Sequence, residues 1–304
     1  MAFDVVGIGE ALIEFAEVEP NRYVQSFAGD IVNSLYYATR LGLHTSFYST
    51  IGGDTFSTDL LKFFDQCGID RSSLKRSTKN NGLYIIRTDS NGEPSYTFFR
   101  DDSAARTMFD SVSDDEFEHA VNDARVLLFS AIGLGASSNR ERFIDLIVRR
   151  PTNQLVFFDT NVRRTQWNDM GALRSYVKML APRIDILSTS RSDDEAMFGS
   201  RSADEALQYY RQLGIQRIIL RQGSDPVETL FDTTRQTFVV PSAPRVIDTT
   251  GAGDAFNAAF IAAFLKTRDT AAAVRIGIKA AIQVIGFRGG IVPQFDPVLV
   301  TSTV

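Results

Sequence analysis

The chain predicts an α/β protein built on a mostly parallel sheet, and three observations carry that expectation. Short apolar runs alternate with helix-length segments along its 304 residues, the pattern of strands joined by crossover helices. Most of those runs are continuously apolar, as strands covered on both faces are. One stretch departs from the rule: residues 82–88 and 95–100 alternate in polarity about Asp89-Ser90-Asn91-Gly92-Glu93, a strong turn sequence, and read as a hairpin without a helix of its own.

Taken in order, residues 1–9 open as a strand, and 31–41 repeat apolar residues at helical spacing before stopping at Gly42. Residues 45–51 return to strand character and 54–66 read as a second helix. Strands then follow at 126–131, 155–159, 184–188 and 217–221, separated by helix-length stretches. No Pro/Gly/Ser linker divides the chain and no internal repeat is visible, so residues 1–304 are expected to form a single domain.

Composition narrows the function. Hydrophobic residues make up 44% and charged residues 23%, enough for a large core. Against 37 acidic residues stand 32 basic ones, a net charge of −5 that leaves no electrostatic footprint for nucleic acid. The single cysteine, Cys67, has no intrachain partner and reads as a packed small residue, and no cationic segment leads an apolar stretch at the N-terminus; a cytoplasmic protein is expected. A membrane span needs about 18 unbroken apolar residues, and even the most apolar segment, 252–265, carries Asp254 and Asn257.

The chemistry concentrates at Ile247-Asp-Thr-Thr-Gly-Ala-Gly-Asp-Ala-Phe-Asn257, followed by an apolar helix. Gly251 and Gly253 let a ligand approach the backbone closely. The start of a helix presents unpaired N–H groups and a positive dipole end, a site suited to phosphate. Asp254 in that first turn would be repelled by bound phosphate, which suggests that its task is to take a proton from an attacking hydroxyl. A plain helix start capped by Thr249 or Thr250, with Asp254 as a favourable first-turn acid, fits the short Gly-x-Gly-Asp string as well. Other motifs lead nowhere: Gly7-Ile8-Gly9-Glu10-Ala11-Leu12 lacks the third glycine of a dinucleotide fingerprint, no Walker A string occurs, and His44 and His119 have no partners at zinc-ligand spacing.

The longer string DTTGAGDAF resembles the C-terminal signature of the ribokinase-like (PfkB) carbohydrate kinases. Phe27-Ala-Gly-Asp-Ile-Val-Asn33, followed by a helix and the turn Ile51-Gly-Gly-Asp54, resembles that family's N-terminal glycine-rich signature. Within the family the chain is most similar to 2-keto-3-deoxygluconate kinases, through GEALIEF at 9–15, AGDIVN at 28–33, GLYIIRTDSNGE at 82–93, FFRDDSAA at 98–105, DTNVRRTQW at 159–167 and FRGGIVP at 287–293.

The resemblance implies a three-layer α/β/α sandwich with a small β lid, formed mainly by 82–100 plus early strand segments around 10–28. It implies transfer of the γ-phosphoryl of ATP, with Mg²⁺, to the 6-hydroxyl of 2-dehydro-3-deoxy-D-gluconate. Asp254 would be the base, and the N–H groups of Gly251, Ala252 and Gly253 the anion hole. Gly29, Asp30, Asn33, Tyr84, Phe98, Arg100 and Arg163 would line the sugar-acid pocket, the two arginines facing a carboxylate as their planar forks suit. Ser192, Arg221, Gly223 and Asp225 would serve the nucleotide, and Glu195 would organise Mg²⁺ through water.

Ser192 stands where most members have asparagine, and Pro226 where many have glycine. Near Ile278 the chain is apolar where many members place an adenine-side asparagine, so no adenine contact is assigned. Asp248 and the residues after Gly286 sit where some relatives bind a monovalent cation. A homo-oligomer, such as a dimer through the lid, is expected by analogy. Two other readings stay open: a kinase for a neutral sugar such as fructose or ribose, and a catalytically silent sugar-acid-binding protein.

Overall fold

The computed structural model describes residues 3–88, 94–122, 124–150 and 153–301. Its strands are β1 (Phe3–Ile8), β2 (Leu12–Glu19), β3 (Arg22–Ala28), β4 (Thr45–Ile51), β5 (Leu74–Arg76), β6 (Gly82–Thr88), β7 (Pro94–Phe99), β8 (Ala124–Ser130), β9 (Leu155–Asp159), β10 (Ile186–Ser190), β11 (Arg217–Gln222), β12 (Asp225–Phe231) and β13 (Thr234–Phe238). A nine-stranded sheet runs β13-β12-β11-β10-β9-β8-β1-β4-β5, and a four-stranded sheet runs β3-β2-β6-β7.

Every pairing from β5 through to β11 in the large sheet is parallel, and only β12 and β13 join antiparallel. Alternate residues of the central strands enter opposite cores. Val6, Ile8, Leu127, Phe129, Phe158 and Leu187 lie in one, and Val5, Val126, Leu128, Phe157, Ile186 and Ile219 in the other. Helices cover both faces, as the apolar runs require. The result is a three-layer α/β/α sandwich.

One helix, Ala252–Thr267, is apolar almost all round and accordingly buried along most of its length. It packs against the helix Asp30–Arg40 and the helix Thr270–Val284. Phe260, fully buried on it, touches the rings of Phe157, Phe231, Phe256 and Phe264.

The strand expected at 126–131 ends at Ser130, because that side chain accepts from Gly133 N at 3.2 Å and caps a helix beginning at Ala131. The strand expected at 184–188 starts at Ile186, after a 3₁₀ turn at Ala181–Arg183. The hairpin β6–β7 forms as expected, with Tyr84 opposite Phe98; its turn, 89–93, lies outside the described residues. The small sheet takes its other two strands from residues 12–28, with β2 parallel to β6 and antiparallel to β3. The β12–β13 pair was not singled out from the sequence, since β12 buries only alternate residues and β13 is exposed but for Phe238, so neither carries a continuous apolar run.

Because Phe260 fills the contact between the buried helix and the sheet, Phe260→Ala is expected to lower stability by about 3–5 kcal/mol in urea unfolding. A loss under about 1 kcal/mol would show that this helix is not locked to the sheet.

Candidate active site

Parallel sheets bind ligands at the carboxyl ends of their strands. Here β8, β9, β10 and β11 end beside one another, with Ser130 opposite Asp159 and Ser190 opposite Arg221. The start of the Ala252–Thr267 helix comes to the same edge. Gly251 is its N-cap at φ 77°, so neither threonine caps it. A side chain at Gly251 would also meet Gly290 O at 2.5 Å, so this turn needs glycine twice over. The Ala252 N–H turns back to Thr249 O at 3.3 Å, while Arg221 lies so close over Gly253 that a Cβ there would collide with its guanidinium.

Asp254 is buried in that first turn, and Asn33 Nδ2 donates to its Oδ2 at 2.8 Å. Burial, the nearby carboxylate of Asp30 and that of Asp159 push its pKa up to about 8, against the Asn33 hydrogen bond and the charge of Arg163. Asp30, at the start of the Asp30–Arg40 helix, accepts from Asn161 Nδ2 at 3.1 Å. Its pKa is also raised by burial and lowered in part by Arg163. Asp30, Asn33, Arg163 and Asp254, expected together from the sequence, therefore share one electrostatic neighbourhood. Gly29, at φ 146°, turns the chain where any side chain would strike the carbonyl of Glu10.

Tyr84 and Phe98 stack in the small sheet with ring centroids 5.3 Å apart, and the Arg100 guanidinium lies 4.6 Å over the Phe98 ring. Arg100 does not stand open to a ligand: it is ion-paired with Glu10, which is 1% exposed and has a second carboxylate oxygen without a partner. Burial raises the Glu10 pKa to about 7 in spite of Arg100. The Tyr84 hydroxyl donates to Glu14, whose other oxygen accepts from Ser26 at 2.7 Å. The charge of Asp248, in the loop before the Ala252–Thr267 helix, is felt at Tyr84. Arg163 is exposed and donates to the carbonyl of Val162 at 3.0 Å.

On the other side of Asp254, Arg221 is ion-paired with Asp159 at 2.6 Å. Gly223, at φ 67°, is the first residue of a two-residue turn between β11 and β12, a conformation suited to glycine. Asp225 faces Arg191 at 3.0 Å. Ser192 and Glu195 are exposed on the helix Arg191–Phe198, with the Ser192 hydroxyl 2.9 Å from that of Ser190. The two aspartates between them face inward. Asp193 accepts from Val162 N at 2.8 Å and Thr160 Oγ1 at 2.9 Å, and Asp194 is bound by Arg201 and by Tyr210 Oη at 3.1 Å. Asp248 accepts from Thr250 N at 2.9 Å and Gly289 N at 2.8 Å, which ties the two loops together. Ile278 is buried in the core.

Sequence reasoning missed Glu10, Glu14, Asn161, Asp193 and Asn257, and gave Asp159 no role. Their partners lie on other strands and helices, so no local spacing marks them.

These groups are brought together by a chain whose residues 2–295 match the family model described as pfkB family carbohydrate kinase. The chain belongs to that family. A similar relative is the 2-dehydro-3-deoxygluconokinase of Dickeya dadantii strain 3937, 28% identical over 94% of this chain and 96% of that one. The ribokinase-like fold is shared with the aminoimidazole riboside kinase from Salmonella enterica complexed with aminoimidazole riboside and an ATP analog, at a TM-score of 0.82 and 22% identity, covering 97% of this chain and 98% of that one. It is shared too with ribokinase from Thermotoga maritima, at a TM-score of 0.76 and 19% identity, covering 95% and 94%. As a pfkB-family member the chain is a sugar kinase. No described helix is long and apolar enough to cross a membrane.

The raised pKa of Asp254 carries a stability consequence. A carboxyl whose folded pKa lies above its unfolded value binds protons more tightly when folded, so its contribution falls as pH rises from about 4 through about 8. Asp254→Asn keeps an acceptor for Asn33 and removes the buried charge. It is expected to raise Tm at pH 8 by at least about 2 °C, with the gain vanishing towards pH 4; a lower Tm at pH 8 would contradict the burial argument.

Proposed function

We propose that this pfkB kinase transfers the γ-phosphoryl of ATP to the 6-hydroxyl of 2-dehydro-3-deoxy-D-gluconate. The observation that carries the reading is Asp254, a buried carboxylate of raised pKa in the first turn of a glycine-led helix and within reach of the charge of Arg163. A base with pKa near the working pH suits removal of a hydroxyl proton. The substrate oxygen attacks the γ-phosphorus, the bond to the bridging oxygen breaks, ADP leaves with that electron pair, and Asp254 takes the proton. Gly251 and Gly253 N–H groups, at the positive end of the helix dipole, face the charge carried by the transferred group. The Ala252 N–H is taken by Thr249.

Asp30 and Asn33 hold the sugar hydroxyls, Tyr84 and Phe98 form the aromatic wall, and Gly29 gives the ring room against the backbone. Arg163 binds the substrate carboxylate, and Arg100, already neutralised by Glu10, has the smaller share. Ser192, Arg221, Gly223 and Asp225 lie along the nucleotide. The donor set suits a magnesium ion that arrives with the polyphosphate. Asp193 and Asp194 are engaged in the fold, no group of three metal-ligating side chains exists among the described residues, and exposed Glu195 remains to hold the ion through water. The ion supplies neutralisation of phosphate charge. A monovalent cation is not needed to explain Asp248, whose oxygens already join two loops.

The small sheet acts as a lid that excludes water, whose attack would hydrolyse ATP. Its exposed Val18, Val24, Tyr96 and Phe99 suit self-association of two lids. The pairing of Arg100 with Glu10 favours one rival, a neutral sugar as acceptor, because it withdraws one of the two cations meant for a carboxylate.

A coupled ADP-release assay with Mg²⁺-ATP on 2-keto-3-deoxygluconate, 2-keto-3-deoxygalactonate, fructose and ribose tests the reading. A kcat/KM of roughly 10⁴ M⁻¹s⁻¹ or better is expected on a keto-acid, with the neutral sugars far slower, and Asp254→Asn is expected to lower kcat at least ~10²-fold. A neutral sugar turning over fastest keeps the kinase and removes the carboxylate argument. Turnover of none leaves the binding-protein reading. Arg163→Ala is expected to raise KM for the keto-acid by at least ~10-fold with less effect on kcat, because it removes binding made before and during transfer; an unchanged KM takes Arg163 out of the pocket.

A further inference from the structure

Asp159 closes β9 with its two carboxylate oxygens taken from opposite sides. Oδ1 accepts from Arg221 Nη2 at 2.6 Å and Oδ2 from Asn257 Nδ2 at 2.7 Å, and Ser188 Oγ fixes the Asn257 amide at 2.8 Å. Asp159 is 3% exposed and Asn257 1%. The guanidinium pinned in this way lies over Gly253, in the first turn of the Ala252–Thr267 helix, and its buried Nε has no hydrogen-bond partner. A cation is disfavoured at the N-terminus of a helix, so Arg221 stays there because Asp159 holds it. Asn257 follows Asp254 by three residues and shares its side of the helix, so one carboxylate is tied both to the cation over the anion hole and to the helix that carries the base.

We propose that Asp159 is a positioning residue for phosphoryl transfer: it pins Arg221 across the first turn of the Ala252–Thr267 helix, so that guanidinium and helix N–H groups face the transferred phosphoryl together. The assignment rests on the kinase reading above. Arg221 is oriented before nucleotide arrives, and a donor fixed in advance at the site of charge development acts on kcat more than on substrate binding. The Asp159 charge also faces Asp254, together with Asp30, Asn33 and Tyr37 of the Asp30–Arg40 helix and Arg163 from the loop after β9. Removing it makes Asp254 easier to deprotonate.

Steady-state kinetics across pH on the wild type, Asp159→Asn, Arg221→Gln and the double variant test the assignment, with ATP affinity followed by calorimetry. For Asp159→Asn, kcat is expected to fall at least ~10-fold, ATP affinity and both KM values to stay within about 3-fold, and the acid limb of kcat/KM to move down by at least about half a pH unit. In the double variant, kcat is expected to match that of Arg221→Gln within about 2-fold, because Asp159 acts through Arg221. An Asp159→Asn enzyme with kcat within about 3-fold of wild type overturns the assignment, as does an acid limb that does not move. If Asp159→Asn does not fold, Arg221→Gln and the charge-balanced double variant decide alone, and a further ~10-fold loss in the double overturns it. Wild-type turnover on no sugar removes the proposed function and this assignment with it, whereas turnover with Asp159→Asn unchanged removes only the assignment.

Discussion

Exclusion of water from the carboxyl ends of the parallel strands is the constraint on which the rest of the structure depends. Asp30, Asp159, Asp254 and Glu10 are all buried in that region. Buried carboxylates must be paired, hydrogen-bonded or protonated. Asp159 and Glu10 are paired, with Arg221 and Arg100, while Asp30 and Asp254 rest on the amides of Asn161 and Asn33 and on the charge of Arg163. The asymmetry separates roles. The paired groups hold the architecture together, and of the two left on an amide, Asp254 is the one in the first turn of the glycine-led helix. Burial therefore raises the proton affinity of Asp254.

The loops that meet at this edge are held by backbone donors more than by side-chain pairs. Tyr37 Oη donates to Gly290 O at 2.8 Å and accepts from Val292 N at 3.1 Å, and Asp248 joins residues 250 and 289. Gly251 packs directly on Gly290, and Gly290 leaves room for the amide of Asn33. The segment FRGG therefore braces both the glycine turn and the side chain that supports Asp254. That bracing accounts for glycines there without appeal to a ligand.

The small sheet depends on the same constraint. β2 and β3 lead directly from β1 and into the Asp30–Arg40 helix, so the strands of the small sheet are anchored at Glu10 and Gly29, where Arg100 returns from β7 to close the pair. Burying that ion pair at the base of the small sheet links its position to the carboxyl end of β1. The two sheets are thus coupled through charge as well as through chain connectivity.

Fold class, strand order of the hairpin and the helix after Gly251 were legible in the sequence, because continuous apolar runs, period-two alternation and glycine turns are local signals. The same holds for Gly29, Asp30, Asn33 and Asp254, which sit in short strings whose spacing is visible along the chain. Strand limits at 130 and 186 were missed by one and two residues, since a serine cap and a 3₁₀ turn decide them. The ion pair of Arg100 with Glu10 and that of Arg221 with Asp159 were not legible at all. Each joins strand ends distant in sequence, and an arginine reads the same whether its partner is a ligand or a buried carboxylate. What the sequence by itself determined was the fold class, the central strands and the glycine-led start of the Ala252–Thr267 helix, because these follow from local apolar patterning and backbone conformation. Which charges are free to act was decided only by the tertiary structure, because burial and pairing arise when the strands are brought side by side.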